Sequence, residues 1–190
     1  MQATTHTTSS LALGLLPIAI APDLLAVEYL HFYIGGLTIG SLFPDIDEPN
    51  SRIGRYVSKD FPALPRTINF IFGHRGITHR FIFALFFFLM FLFFKTDLEN
   101  IHYGLFISGV AFSFGILFHQ IGDMLSGSKY FKGGIRYYFF PFGSKDKYFT
   151  PFPKAIRCAV GDTKEKIYNI LFVLIVVIEL KQILSISIPF

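Results

Sequence analysis

The sequence predicts an all-α membrane protein of about five transmembrane helices, with a cluster of histidines and aspartates at its cytoplasmic face. Three observations lead there. The mean hydropathy is +0.52, and 52% of the 190 residues are hydrophobic, above the usual composition of soluble domains. Residues 81–94 form a run of fourteen without one hydrogen-bonding side chain. Immediately before that run stands GHRGITHR, residues 73–80, a polar cluster at the mouth of a segment that cannot stay in water.

The apolar bulk comes from 25 Phe and 9 Tyr with no Trp, so an interfacial aromatic belt has to be built from Tyr. The single cysteine, Cys158, excludes an internal disulfide and any Cys-based zinc knuckle. A formal charge of +4 in so apolar a chain points to cytoplasmic loops and anionic headgroups. No nucleic-acid partner is expected.

In chain order, the first segment follows MQATTHTTSS, which has no Lys or Arg and so lacks the charged start of a cleaved signal. It is expected to be retained and to span about residues 7–21, with Pro17 tolerated inside it. A second span covers about 29–43, where Gly35, Gly36 and Gly40 allow close helix approach. It ends in PDIDEPN. Residues 51–73, broken by Pro62 and Pro65, read as a loop or surface helix. Further spans are expected at about 78–94, 102–122 and 167–186, the last interrupted by Glu179 and Lys181, which read as snorkelling or interfacial. The whole chain, 1–190, reads as one integral membrane domain with loops at 44–77 and 125–166.

Fifteen of the seventeen Lys and Arg residues lie in 51–80 and 125–166. Two spans separate these loops, so five crossings put both on one side, and the positive-inside rule makes that side cytoplasmic. The N-terminus then faces the cytoplasm of a cell bounded by this inner membrane. On this topology His6, Asp45, Asp47, His74, His79, His119 and Asp123 all fall at cytoplasmic helix ends, whereas His31 and His102 lie at the opposite ends.

Imidazole and carboxylate together are the usual ligands of zinc, manganese or iron. His119 and Asp123, four apart, share a helix face and can hold one metal, or the Asp can orient the His. Asp45 and Asp47, two apart, point the same way only if the segment is extended, a form that Pro44 and Pro49 favour. His74 and His79 are five apart, about 140° around a helix, so joint ligation needs a turn, which Gly76 permits. Taken singly, His6 reads as a solvated residue of a polar tail, and the Asp pair as an ordinary helix end. His119 and Asp123 stand in an apolar helix, where ionisable groups are expensive and usually functional.

The segments GSLFPDIDEPNSRIG, GHRGITHR and HQIGDMLS followed by GGIRYYFFPF resemble the YdjM-type family of bacterial and archaeal membrane-bound, metal-dependent hydrolases. The resemblance covers about residues 6–142, with a weaker match at 161–165. It implies that His6, Asp45, Asp47, His74, His79, His119 and Asp123 form the metal or catalytic set. Glu48 stands where the family has His, Arg80 where it has Ser, and Ser126 where it has Thr.

The expected mechanism is hydrolysis by a metal-activated water, with zinc first and manganese or iron as alternatives. Asp47 or Glu48 is the proton acceptor. Arg75 and Arg80 lie where an anionic phosphate would be held, and Ser126 keeps a hydroxyl beside the site. Position at the headgroup level makes a membrane lipid or another phosphate-containing ester the expected substrate. The competing class is a metal-binding or structural membrane protein without catalysis.

Overall fold

A computed structural model describes residues 1–73, 76–93, 100–126, 135–136, 148–149 and 151–187. It contains α1 (Ala3–Ile20), α2 (Leu30–Leu42), α3 (Arg52–Val57), α4 (Leu64–Phe72), α5 (Phe81–Phe93), α6 (Asn100–Leu125) and α7 (Thr163–Ser187). Beyond helices, the described residues include a two-residue antiparallel pairing of Ile135–Arg136 with Tyr148–Phe149 and a bridge between Ser126 and Cys158.

The polar start of α1 is compatible with a helix because its hydroxyls turn back onto the helix itself. Thr7 Oγ1 donates to the Ala3 carbonyl at 3.0 Å, Thr8 Oγ1 to Thr4 at 3.1 Å and Ser9 Oγ to His6 at 3.1 Å. Pro17 lies three residues from the end of α1, where the Ala21 N–H closes onto its carbonyl at 2.9 Å.

Glycines bring α2 onto α6. A Cβ at Gly36 would stand 2.2 Å from the Ser108 carbonyl oxygen, and one at Gly40 would stand 2.0 Å from that of Phe112. The backbones therefore touch, which only glycine permits here. These pairs also fix direction, since 36 meets 108 and 40 meets 112, so α2 and α6 run parallel. Gly14 against Leu37 and Thr7 against Ser41 set α1 antiparallel to α2. Gln120 bonded to the Arg80 carbonyl, and Phe91 beside Phe112, set α5 antiparallel to α6. Thr8 with Asn169 and Ala19 with Gln182 set α7 parallel to α1. The starts of α1, α5 and α7 and the ends of α2 and α6 thus gather at one end of the bundle.

Two helices, Tyr103–Leu125 and Thr163–Ser185, are long and apolar enough to cross a membrane. They differ in burial. The α6 window is 44% buried by its neighbours and that of α7 11%, leaving Ile170, Val177 and Ile178 outward on α7. An outward face this apolar is suited to lipid contact. By contrast α2 and α5, at 13 residues each, are about 20 Å long, short of the roughly 30 Å hydrocarbon core. The start of α5 is later than the sequence suggests, because Ile77–His79 forms a separate 3-10 turn. Glu179, which the sequence suggests is snorkelling or interfacial, is buried, and neither carboxylate oxygen has a hydrogen-bond partner among the described residues.

At the end away from the gathered termini, Leu15, Ile18, Ala19, Leu30 and Ile183 form an apolar cluster joined by Tyr33, Ile34, Val176 and Leu180. At the other end the buried side chains include a polar group: His6, Asp47, Thr78, His79, His119, Gln120, Asp123 and Arg80.

Candidate metal centre

Four elements deliver the polar side chains. α1 brings His6, the 3-10 turn Phe43–Asp47 brings Asp45 and Asp47, the turn Ile77–His79 brings Thr78 and His79, and the last turns of α6 bring His119 and Asp123. The sequence leads one to expect an extended Asp45–Asp47 segment, but it is a 3-10 turn. Pro44 sits in the first turn of a 3-10 helix, where its fixed φ is accommodated and its missing N–H costs nothing. At three residues per turn the two carboxylates diverge, and they reach His79 from its two different nitrogens. Asp45 Oδ1 lies 3.4 Å from His79 Nε2, and Asp47 Oδ2 lies 3.5 Å from His79 Nδ1.

Hydrogen bonds assign the tautomers. The Thr78 hydroxyl donates its only proton to Asp47 Oδ2 at 2.9 Å and stands 3.0 Å from His79 Nδ1, so that nitrogen carries the hydrogen and Thr78 accepts it. His119 Nδ1 donates to the Ser41 carbonyl at 2.7 Å. In their neutral forms both rings therefore present Nε2 lone pairs inward, the arrangement in which outer partners orient metal-binding histidines. The two Nε2 atoms are 3.3 Å apart. Around them His119 Nε2 lies 3.7 Å from Asp45 Oδ1 and 3.7 Å from Asp123 Oδ2, and His79 Nε2 lies 3.6 Å from Asp123 Oδ2. With both rings neutral, these four Lewis-basic atoms repel one another. A cation in their midst turns that repulsion into ligation.

Two overlapping triads have donor geometry for a metal ion: His6, His119 and Asp123, and Asp45, His79 and His119. His119 belongs to both but has one inward lone pair, because its Nδ1 is committed to Ser41. The triads therefore cannot each use His119 for a separate ion. His6 is not a solvated tail residue. It is 1% exposed, its ring stacks on that of His119 with centroids 3.8 Å apart, its Nε2 lies 3.6 Å from Asp123 Oδ1, and its buried Nδ1 has no hydrogen-bond partner among the described residues. Asp45 is the most open of the set, its side chain 23% exposed. Burial would raise its pKa, but His119 and His79 beside it, when protonated, outweigh that and hold its carboxyl well below the usual carboxylate range.

The profile of the family described as YdjM inner membrane protein matches residues 1–186. The chain belongs to this family. Bacillus subtilis (strain 168) has a relative, described as "Uncharacterized protein YvsG", that is 39% identical over 69 residues, 36% of this chain and 40% of that protein. This chain thus spans about two fifths of the length of the curated relative it matches. No solved structure matches it.

In this YdjM family member the remaining sequence-derived site residues sit as follows. Glu48 is half-buried, its Oε1 accepting the Asn50 N–H at 3.1 Å. Arg80 is 3% exposed, and its carbonyl accepts from Gln120 at 2.8 Å. Ser126 is buried, with its hydroxyl donated to the Asp123 carbonyl at 2.7 Å. It closes the end of α6 directly below Asp123. His74 and Arg75 lie outside the described residues, as does the side chain of His102. His31 is exposed beside Phe32, at the far end of α2 from the cluster.

Sequence reasoning passed over Ser41, Thr78, Gln120 and Glu165. Ser41 contributes a carbonyl, which no side-chain pattern reveals. Thr78 and Gln120 had a signal, each being adjacent to a histidine that it helps position. Glu165 is 1% exposed and accepts the N–H groups of Gln2 and Gly161. It thereby ties the start of α7 to the start of α1, the helix that carries His6.

Proposed function

We propose that this protein is a membrane-embedded metal-dependent hydrolase that acts on a phosphoester or other ester at the cytoplasmic membrane surface. The observation that carries the reading is that two carboxylate oxygens, Asp45 Oδ1 and Asp123 Oδ2, each lie 3.4–3.7 Å from both Nε2 atoms of His79 and His119, which are themselves 3.3 Å apart. Ligands of tetrahedral zinc at ordinary bond lengths lie roughly 3.3–3.6 Å from one another, which puts zinc first, with manganese and iron as alternatives. A divalent ion held there supplies a Lewis acid for the ester oxygen and, from water, a nucleophile at neutral pH.

The chain's own residues do the rest. Ser41 and the Asp47–Thr78 pair hold the protons on the outer nitrogens of His119 and His79 and so keep the inner lone pairs available. Asp47 is committed to that task, and Glu48 is the half-exposed carboxylate proposed as proton acceptor. Arg80, following His79 directly, supplies positive charge for an anionic substrate. Asp45 marks the accessible side of the site. Five crossings with the site end cytoplasmic would fit the gathering of termini described above and the crowding of Arg52, Arg55, Lys59, Arg66, Lys154 and Arg157 in the loops of that end, and they require the segments flanking the short α2 and α5 to complete their passage.

Four protein donors around one ion also favour a second reading, a closed site that holds the bundle together without chemistry, since structural zinc sites are closed and catalytic ones keep a position open. One experiment separates them. The protein is purified without chelator, its metal content measured, and hydrolysis assayed across phosphomonoesters, phosphodiesters and lipid esters with zinc, manganese and iron. Hydrolysis that disappears in His119→Ala supports the enzyme. Stoichiometric metal with no hydrolysis on any ester assigns the closed structural site.

A further inference from the structure

Between the candidate centre and the apolar α5, the segment 52–72 leaves several large apolar side chains outside the protein. α4 is strongly two-sided. Pro65 is buried and Ile68, Asn69 and Phe72 are half-buried against the bundle, where Asn69 Nδ2 donates to the Asp47 carbonyl at 2.8 Å. On the outer side Phe70 is 91% exposed, Ile71 60% and Leu64 42%, and Phe61 just ahead of the helix is 65% exposed. Arg66 and Thr67 stand exposed on the same outer side. The segment carries Arg52, Arg55, Lys59 and Arg66 against one acid, Asp60.

Water is a poor surrounding for this set, because apolar side chains such as Phe70 gain free energy in proportion to the area they remove from it. The hydrocarbon core is equally poor for the four cations. The zone that suits both is the headgroup boundary, where a short amphipathic helix lies with its apolar side chains among the upper acyl carbons and its cations on phosphates. Connectivity puts α4 at that level. It ends at Phe72, and α5, the all-apolar helix, begins at Phe81. The net positive charge selects an anionic leaflet.

We propose that Phe61 and α4 form an interfacial anchor seated in the anionic leaflet beside the metal centre, with Phe61, Phe70 and Ile71 among the acyl chains and Arg66 on lipid phosphate. Because Asn69 is bonded to the Asp47 carbonyl, and Asp47 holds His79, the anchor sets the depth at which the centre meets the headgroups. This goes beyond the hydrolase reading and holds equally for a site without catalysis.

The chain has no tryptophan, so a single introduced one reports its own surroundings. Phe70→Trp and Ile71→Trp are each placed in the full-length protein, which is reconstituted in phosphatidylcholine vesicles with and without phosphatidylglycerol. Val177→Trp on the outward face of α7 serves as the insertion control. Emission is followed with lipids brominated near the headgroup end of the acyl chain and with aqueous iodide. The expected result is blue-shifted emission at 70 and 71, most of it lost to brominated lipid and little of it to iodide. Adding Arg66→Glu should reduce the lipid quenching in the phosphatidylglycerol vesicles.

Quenching by iodide but not by lipid overturns the anchor, since it leaves α4 in water. Protection from both overturns it too, because the face is then covered by protein, either residues 127–150 or a second copy. Equal quenching with and without phosphatidylglycerol, unaltered by Arg66→Glu, removes the selection for anionic lipid. If Val177→Trp also escapes the brominated lipid, the bundle is not inserted and the anchor falls with it.

Discussion

The two ends of the helix bundle are both sealed by buried side chains, but with opposite chemistry. At one end Leu15, Ile18, Ala19, Leu30 and Ile183 meet through contacts that have no preferred direction. At the other, His6, Asp47, His79, His119 and Asp123 are almost fully buried, and each polar atom has a geometry to satisfy. An apolar cluster of this kind tolerates exchange of one hydrophobic side chain for another of similar volume. A buried polar cluster does not, because a group left without its partner costs far more than the pair was worth. The apolar end therefore reports on packing alone, while the polar end reports on packing and on a ligand. Substitutions that move the two ends apart test that distinction.

The largest effect is expected where one residue serves both ends. Gly40→Val places carbon where the Phe112 carbonyl oxygen stands, 2.0 Å from an ideal Cβ, and so forces α2 from α6. Little folded protein should be recovered from detergent, and metal content should be lost with it. Recovery at the wild-type level with metal intact would show that the α2–α6 contact does not hold the ends in register.

Next, the ends should separate. His119→Ala and Asp123→Ala should each abolish stoichiometric metal, measured by elemental analysis. Leu15→Ala should lower stability by about 2–5 kcal/mol while leaving the metal in place. Chelation sharpens the same contrast. It should lower the thermal midpoint of the wild-type protein and of Leu15→Ala, and leave that of His119→Ala unmoved, because only a bound ion stabilises by mass action. A His119→Ala protein that still responds to chelator would place the ion elsewhere.

A smaller effect is expected one bond further out. Asp47→Asn keeps the shape of the 3-10 turn but weakens the acceptor that orients Thr78 and His79, and outer partners of this kind are typically worth 10–100-fold in metal affinity. A competition titration against a chelator of known affinity reads this directly. An unchanged affinity would detach Asp47 from the centre. The smallest effects belong to Glu48→Gln and His31→Ala, both outside the polar cluster. Each should stay within about 0.5 kcal/mol of wild type and keep its metal, whatever Glu48→Gln does to hydrolysis.

Much of this was legible in the sequence, since apolar runs and helical spacing are local properties. The run after Arg80 locates α5, the Gly-spaced segment locates α2, and the four-residue spacing of His119 and Asp123 places both on one face of α6 whatever surrounds them. The resemblance of PDIDEP, GHRGITHR and HQIGDMLS to one family selected the ligand candidates without their geometry. What the tertiary structure decided is which atom faces which. Asp45 and Asp47 take opposite sides of His79 because the segment is a 3-10 turn and not a strand. His6 leaves its polar tail to stack on His119 because Glu165, more than 150 positions away in the chain, holds the start of α1 against α7. The single inward lone pair of His119 depends on a backbone carbonyl at Ser41, and main-chain acceptors have no letter in a sequence. Contacts between residues distant in the chain follow from how helices pack, and only the folded bundle brings Asp45 and Asp123 within 3.4–3.7 Å of the paired His79 and His119 nitrogens.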